Sequence, residues 1–171
     1  MSSLAKNVFA LVALGLSAAG AFGQIAVGDR FPALDAAALS GGAVPSVEGR
    51  VVLVDFWASW CAPCKASFPS MAKLHADYEA RGLVIVAVSV DEKEAPYAAF
   101  VKKLRPPFST LRDAQQTLVR AVQVPTMPTS YLVGRDGRVR HVHRGFHGQA
   151  SETEIRKQIE VLLAEKAEEK S

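Results

Sequence analysis

Residues 56–65 read FWASWCAPCK and contain both cysteines of the chain, Cys61 and Cys64, together with both of its tryptophans. The run that ends there, VVLVDF at 51–56, is almost wholly β-branched and aromatic, which predicts a buried central strand. After the cysteines, apolar side chains recur at helical spacing over 68–74, which predicts a helix. The Cys-X-X-Cys pair is therefore expected where a buried strand turns into a helix.

This position favours a reactive dithiol. Pro63 suits a first helical position, so we expect Cys61 at the mouth of the helix and Cys64 further inside it. The unsatisfied N–H groups and the positive dipole end at a helix start stabilise a thiolate over a thiol. Cys61 is accordingly predicted to be the attacking nucleophile, and Cys64 the more buried thiol that resolves the mixed disulfide.

Two other uses of the cysteines compete with this interpretation. A passive disulfide across so short a loop would remove little unfolded-state entropy and would stabilise the fold weakly. A copper(I) or zinc carrier would combine Cys61 and Cys64 with a histidine, although no second Cys-X-X-Cys pair lies at the usual zinc-site spacing. His141 and His143, two apart on one predicted strand, are better explained as a solvated strand face. The metal carrier remains the alternative function.

Residues 1–23 have the pattern of a secretory signal peptide. Lys6 is the only charged residue of this leader, 8–16 is an apolar run, and AGA at 19–21 fits a small-residue cleavage site. The apolar run is short for a spanning helix, so we expect cleavage and no stable membrane anchor, with an uncleaved anchor as the competing interpretation. Residues 24–171 then form one exported domain, which predicts a periplasmic location.

Export matters because an exposed Cys-X-X-Cys pair in an oxidising compartment either acts as an oxidant or is kept reduced by a partner. The formal net charge is +3 over 171 residues, which is a small excess of positive charge. The sequence has no run of lysine and arginine interleaved with aromatic residues, so a nucleic-acid partner is not expected.

The rest of the chain predicts strands and helices that alternate around this motif. Residues 25–49 are predicted to form a small β-hairpin. A helix is predicted at 61–80, with Pro69 in its interior, and a second apolar strand at 83–90. Together with the strand at 51–56, this helix and strand predict a right-handed βαβ crossover. The further predicted elements are a helix at 91–104, an extended piece at 108–111, a helix at 114–122, strands at 129–133 and 138–144, and a last helix capped by Ser151 and Glu154. No second domain is predicted.

Two stretches carry a resemblance to a known family. They are VLVDFWASWCAPC at 52–64 and MPTSYLV at 127–133, supported by Pro69, the turn at 134–137 and Gly145-Phe146. Through them the chain resembles thioredoxin-fold proteins of the TlpA/ResA type, exported thiol–disulfide oxidoreductases, over roughly 27–163. The resemblance implies an α/β, thioredoxin-like fold with a central mixed sheet flanked by helices. The predicted N-terminal β-hairpin would precede this sheet, and a central insert is implied from Asp91 to about Pro107.

The resemblance also implies a surface that binds the substrate. The Met127–Pro128 peptide bond is expected to be cis and to pack against the dithiol, which leaves the backbone of Met127 free to pair with an extended substrate chain. Trp60 and Pro63 are expected to shape the same surface. For Trp60, a place in the core is the competing interpretation.

Two acids are candidates for a catalytic role. Asp55 closes an otherwise apolar strand, and burial would raise the pKa of its carboxyl and suit it to accept the proton of Cys64. A strand-end carboxyl that points to solvent is the competing interpretation. Glu92 follows the second strand, where the resemblance implies a glutamate close to the active site. Asp91 and a plain helix-capping role compete with that assignment.

These observations predict an exported protein-disulfide reductase that needs no cofactor and no metal. The direction of electron flow follows from the resemblance alone, because Cys-X-X-Cys proteins span roughly −270 to −120 mV. The expected partners are disulfide-bonded proteins, apocytochrome c among them, and a membrane electron donor that reduces the dithiol. Asp55 stands where TlpA/ResA-type proteins often have Asn, and Ser67 stands where they commonly have Glu, so substrate specificity does not follow from the resemblance.

Overall fold

A computed structural model describes residues 24–35 and 38–165, so the predicted signal peptide at 1–23 lies outside the described residues. Strands and helices alternate along this part of the chain, with a short 3-10 helix at Glu79–Arg81 after the first helix. Their bounds are β1 Val51–Trp57, α1 Ala62–Tyr78, β2 Leu83–Ser89, α2 Glu94–Leu104, β3 Ser109–Arg112, α3 Thr117–Val122, β4 Thr129–Val133, β5 Val139–Arg144 and α4 Gln149–Ala164.

The strands form one mixed sheet in the order β3-β2-β1-β4-β5. β1, β2 and β3 are parallel, while β4 is antiparallel to both β1 and β5. Every residue of β1 is buried, as a continuous apolar run in a central strand requires. The helices flank this sheet, so the predicted thioredoxin-like architecture is confirmed, and the dithiol lies at the end of its central strand.

The described part of 25–49 does not form the predicted β-hairpin. Its backbone binds both edges of the sheet instead, since Arg30 bridges Arg138 beside β5 and Ser40 bridges Arg112 in β3. The hairpin prediction was wrong because it rested on local turn residues. Edge strands offer unpaired N–H and C=O groups, and these become available to the N-terminal segment only after the sheet has formed.

The predicted capping box of the last helix is also wrong. α4 begins at Gln149 after the N-cap residue Gly148, so Ser151 lies inside its first turn. The Ser151 hydroxyl accepts a hydrogen bond from the backbone N–H of His147, at 2.9 Å, instead of capping a helical N–H. Gly148 has a φ of 64°, a left-handed conformation that glycine adopts without strain, and this permits the earlier start.

Candidate active site

Cys61 and Cys64 form a disulfide at the start of α1, with sulfur atoms 2.03 Å apart. Cys61 is the N-cap residue of the helix, and its sulfur accepts a hydrogen bond from the Cys64 backbone N–H at 3.2 Å. Cys61 is 5% exposed, whereas Cys64 is completely buried. Cys61 is therefore the less buried of the two cysteines, and its sulfur lies at the N-terminus of the helix, which is the arrangement that stabilises a thiolate on Cys61.

The surface beside the disulfide carries an exposed tryptophan. Trp60 is 71% exposed, and Pro63, the second residue of α1, is exposed as well. Trp57 is fully buried, with ring centroids 5.0 Å from Phe68 and 4.3 Å from Phe100. Of the two tryptophans, Trp57 is thus a core residue and Trp60 is the one available to a partner.

Asp55 points into the protein and not to solvent. It is 1% exposed, and its Oδ1 accepts a hydrogen bond from the Ser130 hydroxyl at 2.6 Å, whereas its Oδ2 has no partner among the described residues. Burial raises the pKa of this carboxyl to about 7, against the lowering effect of the Ser130 hydrogen bond. Asp55 is therefore able to take up and release a proton near neutral pH.

Asp55 lies beneath α1, because it lines the same cavity as a residue of that helix. Asp55 lines a small cavity with Ser67, and the Ser67 hydroxyl donates a hydrogen bond to the carbonyl of Cys64 at 2.9 Å. Since Cys64 and Ser67 occupy successive turns of α1, the carboxyl faces the first part of the helix that carries the dithiol.

The Met127–Pro128 peptide bond is cis, as the resemblance implied. Pro128 is buried and lines the same cavity as Asp55, and its carbonyl accepts a hydrogen bond from the Gly145 N–H at 2.7 Å. Met127, half-buried, precedes it in the same loop. The fold thus brings the loop before β4 to the buried acid of β1, although the two are far apart in the sequence.

The two neighbouring acids after β2 have different surroundings. Asp91 is buried, and its carboxylate accepts hydrogen bonds from the Ser59 N–H at 2.9 Å, the Ser59 hydroxyl at 2.8 Å and the Ser89 hydroxyl at 2.7 Å. Glu92 is exposed and contacts Gln116, with a donor–acceptor distance of 3.4 Å. Asp91 therefore holds the loop that leads into the disulfide, whereas Glu92 as a site residue stays a prediction.

Asp91→Ala is expected to lower the free energy of unfolding by about 3 kcal/mol, because three donors lose the buried carboxylate that they share. Glu92→Ala changes the adjacent exposed position and is expected to cost less than about 0.5 kcal/mol. Guanidinium unfolding of both variants beside the parent protein measures the difference. Equal losses would contradict the positioning role of Asp91. A loss of reductase activity in Glu92→Ala at unchanged stability would support Glu92 as a site residue.

Sequence reasoning missed two serines of the site, Ser59 and Ser130. Ser130 lies directly opposite Asp55 in the register of β4 against β1, so their contact depends on strand pairing. Ser59 belongs to the conspicuous stretch before Cys61, but nothing local indicates that it binds Asp91. β4 reads TSYLV, without an alternation of polar and apolar residues, so no local pattern pointed to Ser130.

The histidines of β5 do not join the dithiol. His143 Nε2 lies 2.7 Å from the Gln158 side-chain oxygen, which places it against α4. Across the described residues, no group of three or more His, Cys, Asp or Glu side chains is arranged to hold a metal ion. The metal-carrier alternative thus gains no support from this part of the chain. Nor does any helix in residues 24–35 and 38–165 have the length and apolar character to cross a membrane.

Comparison with known proteins gives a matching family model and relatives that are named thiol-disulfide oxidoreductases. The model of the AhpC/TSA family matches residues 27–142. The thiol-disulfide oxidoreductase ResA of Oceanobacillus iheyensis is 34% identical over 99 residues, which are 58% of this chain and 52% of that protein. ResA of Bacillus subtilis is 33% identical over 99 residues, or 58% of this chain and 55% of that protein. The match thus spans about half the length of these curated relatives.

Solved structures extend the comparison to the fold. A candidate thiol:disulfide interchange protein DsbE from Chlorobium tepidum has a TM-score of 0.72 and 33% identity, and the match covers 82% of this chain and all of that one. A secreted Mycobacterium tuberculosis disulfide oxidoreductase, with a TM-score of 0.60, 22% identity and coverage of 68% of this chain and 84% of its own, shares the fold. The chain therefore belongs to the AhpC/TSA family, and its predicted resemblance to TlpA/ResA-type proteins of the thioredoxin superfamily is confirmed.

Proposed function

We propose that this protein is an exported thiol–disulfide oxidoreductase that reduces disulfide bonds in other proteins. The observation that carries the proposal is the Cys61–Cys64 disulfide at the N-terminus of α1, with the more exposed sulfur on Cys61 and a buried acid beneath the helix. Relatives named thiol-disulfide oxidoreductase match 58% of this chain and support the same chemistry.

The proposed reaction has two exchange steps. In the reduced protein, the Cys61 thiolate attacks a substrate disulfide, which forms a mixed disulfide and releases one substrate thiolate. Cys64 then passes its proton to Asp55 and attacks the Cys61 sulfur, so that the second substrate thiolate leaves and the Cys61–Cys64 disulfide forms. Two electrons move from the dithiol to the substrate. The pKa of Asp55, about 7, suits it to accept the proton at neutral pH.

Substrate binding is assigned to the surface around the disulfide. We place the substrate chain against Trp60 and Pro63 on one side and Met127 and Pro128 on the other. The exposure of Trp60 directly before Cys61 supports this assignment, because tryptophan is enriched among the residues that contribute most to protein–protein binding. The backbone of Met127 would pair with the substrate, while Pro128 would hold it close to the sulfurs.

The cellular setting is proposed from the leader and the relatives together. Residues 1–23 would direct export to the periplasm, and a membrane electron donor would return the disulfide to the dithiol state. Exported thiol proteins, apocytochrome c among them, are the proposed substrates. A reductant needs such a donor because its compartment is oxidising.

The reduction potential of the Cys61–Cys64 pair tests the proposal. We expect a reversible two-electron transition near the potential of thioredoxin, about −270 mV, in dithiothreitol buffers of graded composition. A potential near −120 mV would contradict the reductive direction and indicate an oxidase or isomerase. If no reversible transition occurs, the redox function is wrong, and the metal content of the purified protein becomes the next measurement.

A further inference from the structure

A small cavity lies between the central sheet, α1 and α4. Its volume is about 10 Å³, which is close to the room that one water molecule needs. The polar side chains that line it are Asp55 of β1, Ser67 and Ser70 of α1, Ser130 of β4 and Glu152 of α4. Two carboxylates from elements far apart in the sequence thus border one water-sized space.

One of the residues that line the cavity, Asp55, has a carboxylate oxygen without a hydrogen bond. Its Oδ1 is bonded to Ser130, but its Oδ2 has no partner among the described residues although the side chain is almost completely buried. Leaving a buried polar atom without a hydrogen bond is costly, so a site of this kind favours an ordered water.

Glu152 also lines the cavity and is 5% exposed. The Ser70 hydroxyl donates a hydrogen bond to it, and its Oε2 lies 3.6 Å from the ammonium group of Lys73, whose side chain is 62% exposed. Its Oε1 lies 3.5 Å from the Arg156 guanidinium. These contacts hold the pKa of Glu152 below its ordinary value, so the group is ionised at neutral pH and returns quickly to that form after it has taken up a proton.

Asp55 and Glu152 are the two carboxyl groups that line this cavity. Asp55 must lose the proton it took from Cys64 before another turnover, yet its carboxyl is enclosed by protein. Glu152 borders the same cavity from the side where Lys73 reaches solvent. We propose that Glu152 is a positioning residue that relays the proton of Asp55 to solvent through one water molecule held in this cavity. This inference rests on the proposed role of Asp55 in thiol–disulfide exchange.

The relay moves one proton and leaves every group as it began. Protonated Asp55 donates from Oδ2 to the cavity water while that water passes one of its own protons to a Glu152 oxygen. Glu152 then releases a proton to bulk solvent and returns to its ionised form. The ionisable groups that face the cavity are Asp55 and Glu152, and the charged groups that face the outer side of Glu152 are Lys73 and Arg156.

Stopped-flow mixing of the reduced protein with a small aromatic disulfide at pH 8 tests the relay. The ionised aromatic thiol reports thiol oxidation, and a soluble pH indicator reports proton release in the same mixing event. In the wild-type protein the two signals are expected to rise together. In Glu152→Gln, proton release is expected to lag: its rate constant should be at least tenfold lower than that of thiol oxidation. Glu154→Gln, an exposed glutamate of the same helix, is the matched control and is expected to show no lag.

Two further variants separate the relay from a structural effect. Lys73→Gln removes the same ion pair but leaves the carboxylate, so no lag is expected. Ser70→Val places a methyl-bearing side chain at the cavity wall in place of a hydroxyl and is expected to reproduce the lag with Glu152 intact. If Glu152→Gln and Ser70→Val both release protons without a lag, the relay is wrong. If the wild-type dithiol is not oxidised by the disulfide, the proposed function itself fails, and the relay fails with it.

Discussion

Cys61→Ser is expected to reduce disulfide exchange by this protein to the uncatalysed level, whereas Cys64→Ser is expected to accumulate a stable mixed disulfide with the substrate. The reason is the difference in position: Cys61 is at the helix mouth and more exposed, whereas Cys64 is completely buried and reaches only the Cys61 sulfur. Insulin reduction measures the loss of turnover, and non-reducing electrophoresis with mass spectrometry detects the adduct.

Ala66→Ser is the control for this pair, because it adds a serine at an exposed position of the same helix and leaves both sulfurs in place. It is expected to retain turnover and to form no adduct. A mixed disulfide that accumulates on Cys64 in the Cys61→Ser variant would reverse the assignment of attacking and resolving thiols.

The oxidised wild-type protein is expected to lose about 4 kcal/mol of unfolding free energy as the pH rises, because the buried Asp55 carboxyl ionises. Asp55→Asn is expected to abolish this loss. The pKa of Asp55 is about 7 in the folded state and about 3.8 in the unfolded state. Between these two pH values, the folded state therefore binds one more proton than the unfolded state. The free energy of unfolding of the wild type therefore falls as the pH rises through this window, by about 1.4 kcal/mol per pH unit. Above pH 7, the full penalty of a buried carboxylate is present.

Urea unfolding of wild type and Asp55→Asn from pH 4 to pH 8 measures this difference. The two proteins are expected to diverge steadily with increasing pH, with Asp55→Asn the more stable at pH 8. Asp29→Asn, which changes an exposed carboxyl that caps the Ala26 N–H, is expected to run parallel to the wild type. A constant difference between wild type and Asp55→Asn would mean that Asp55 does not titrate in this range.

The same substitution is expected to slow resolution of the mixed disulfide, since an amide cannot take the proton of Cys64. Folding is expected to be intact, because the substituted asparagine would keep the shape of the side chain and its contact with Ser130. Unchanged turnover between pH 6 and pH 9 would contradict the proton-accepting role of Asp55.

Local patterns predicted the elements around the disulfide well. The apolar run of β1, the helical spacing of α1 and the strand Thr129–Val133 all depend on neighbouring residues in the chain, and the structure has them with ends shifted by a few residues at most. The element that failed, the hairpin at 25–49, was assigned from turn residues whose true partners lie at distant sheet edges. Similarly, Ser151 is a residue type that is common at helix N-caps, but α4 begins at Gln149 because Gly148 is its N-cap residue.

The order of residues is enough to predict the dithiol, its place between a buried strand and a helix, and an acid in that strand. These features depend on spacing within a few residues. The groups that surround the acid depend on how the chain folds: Ser130 comes beside it through the register of β4, and Glu152 lines the same cavity through the packing of α4. The physical reason is that burial and desolvation arise from contacts between distant segments, and such contacts set the pKa of Asp55.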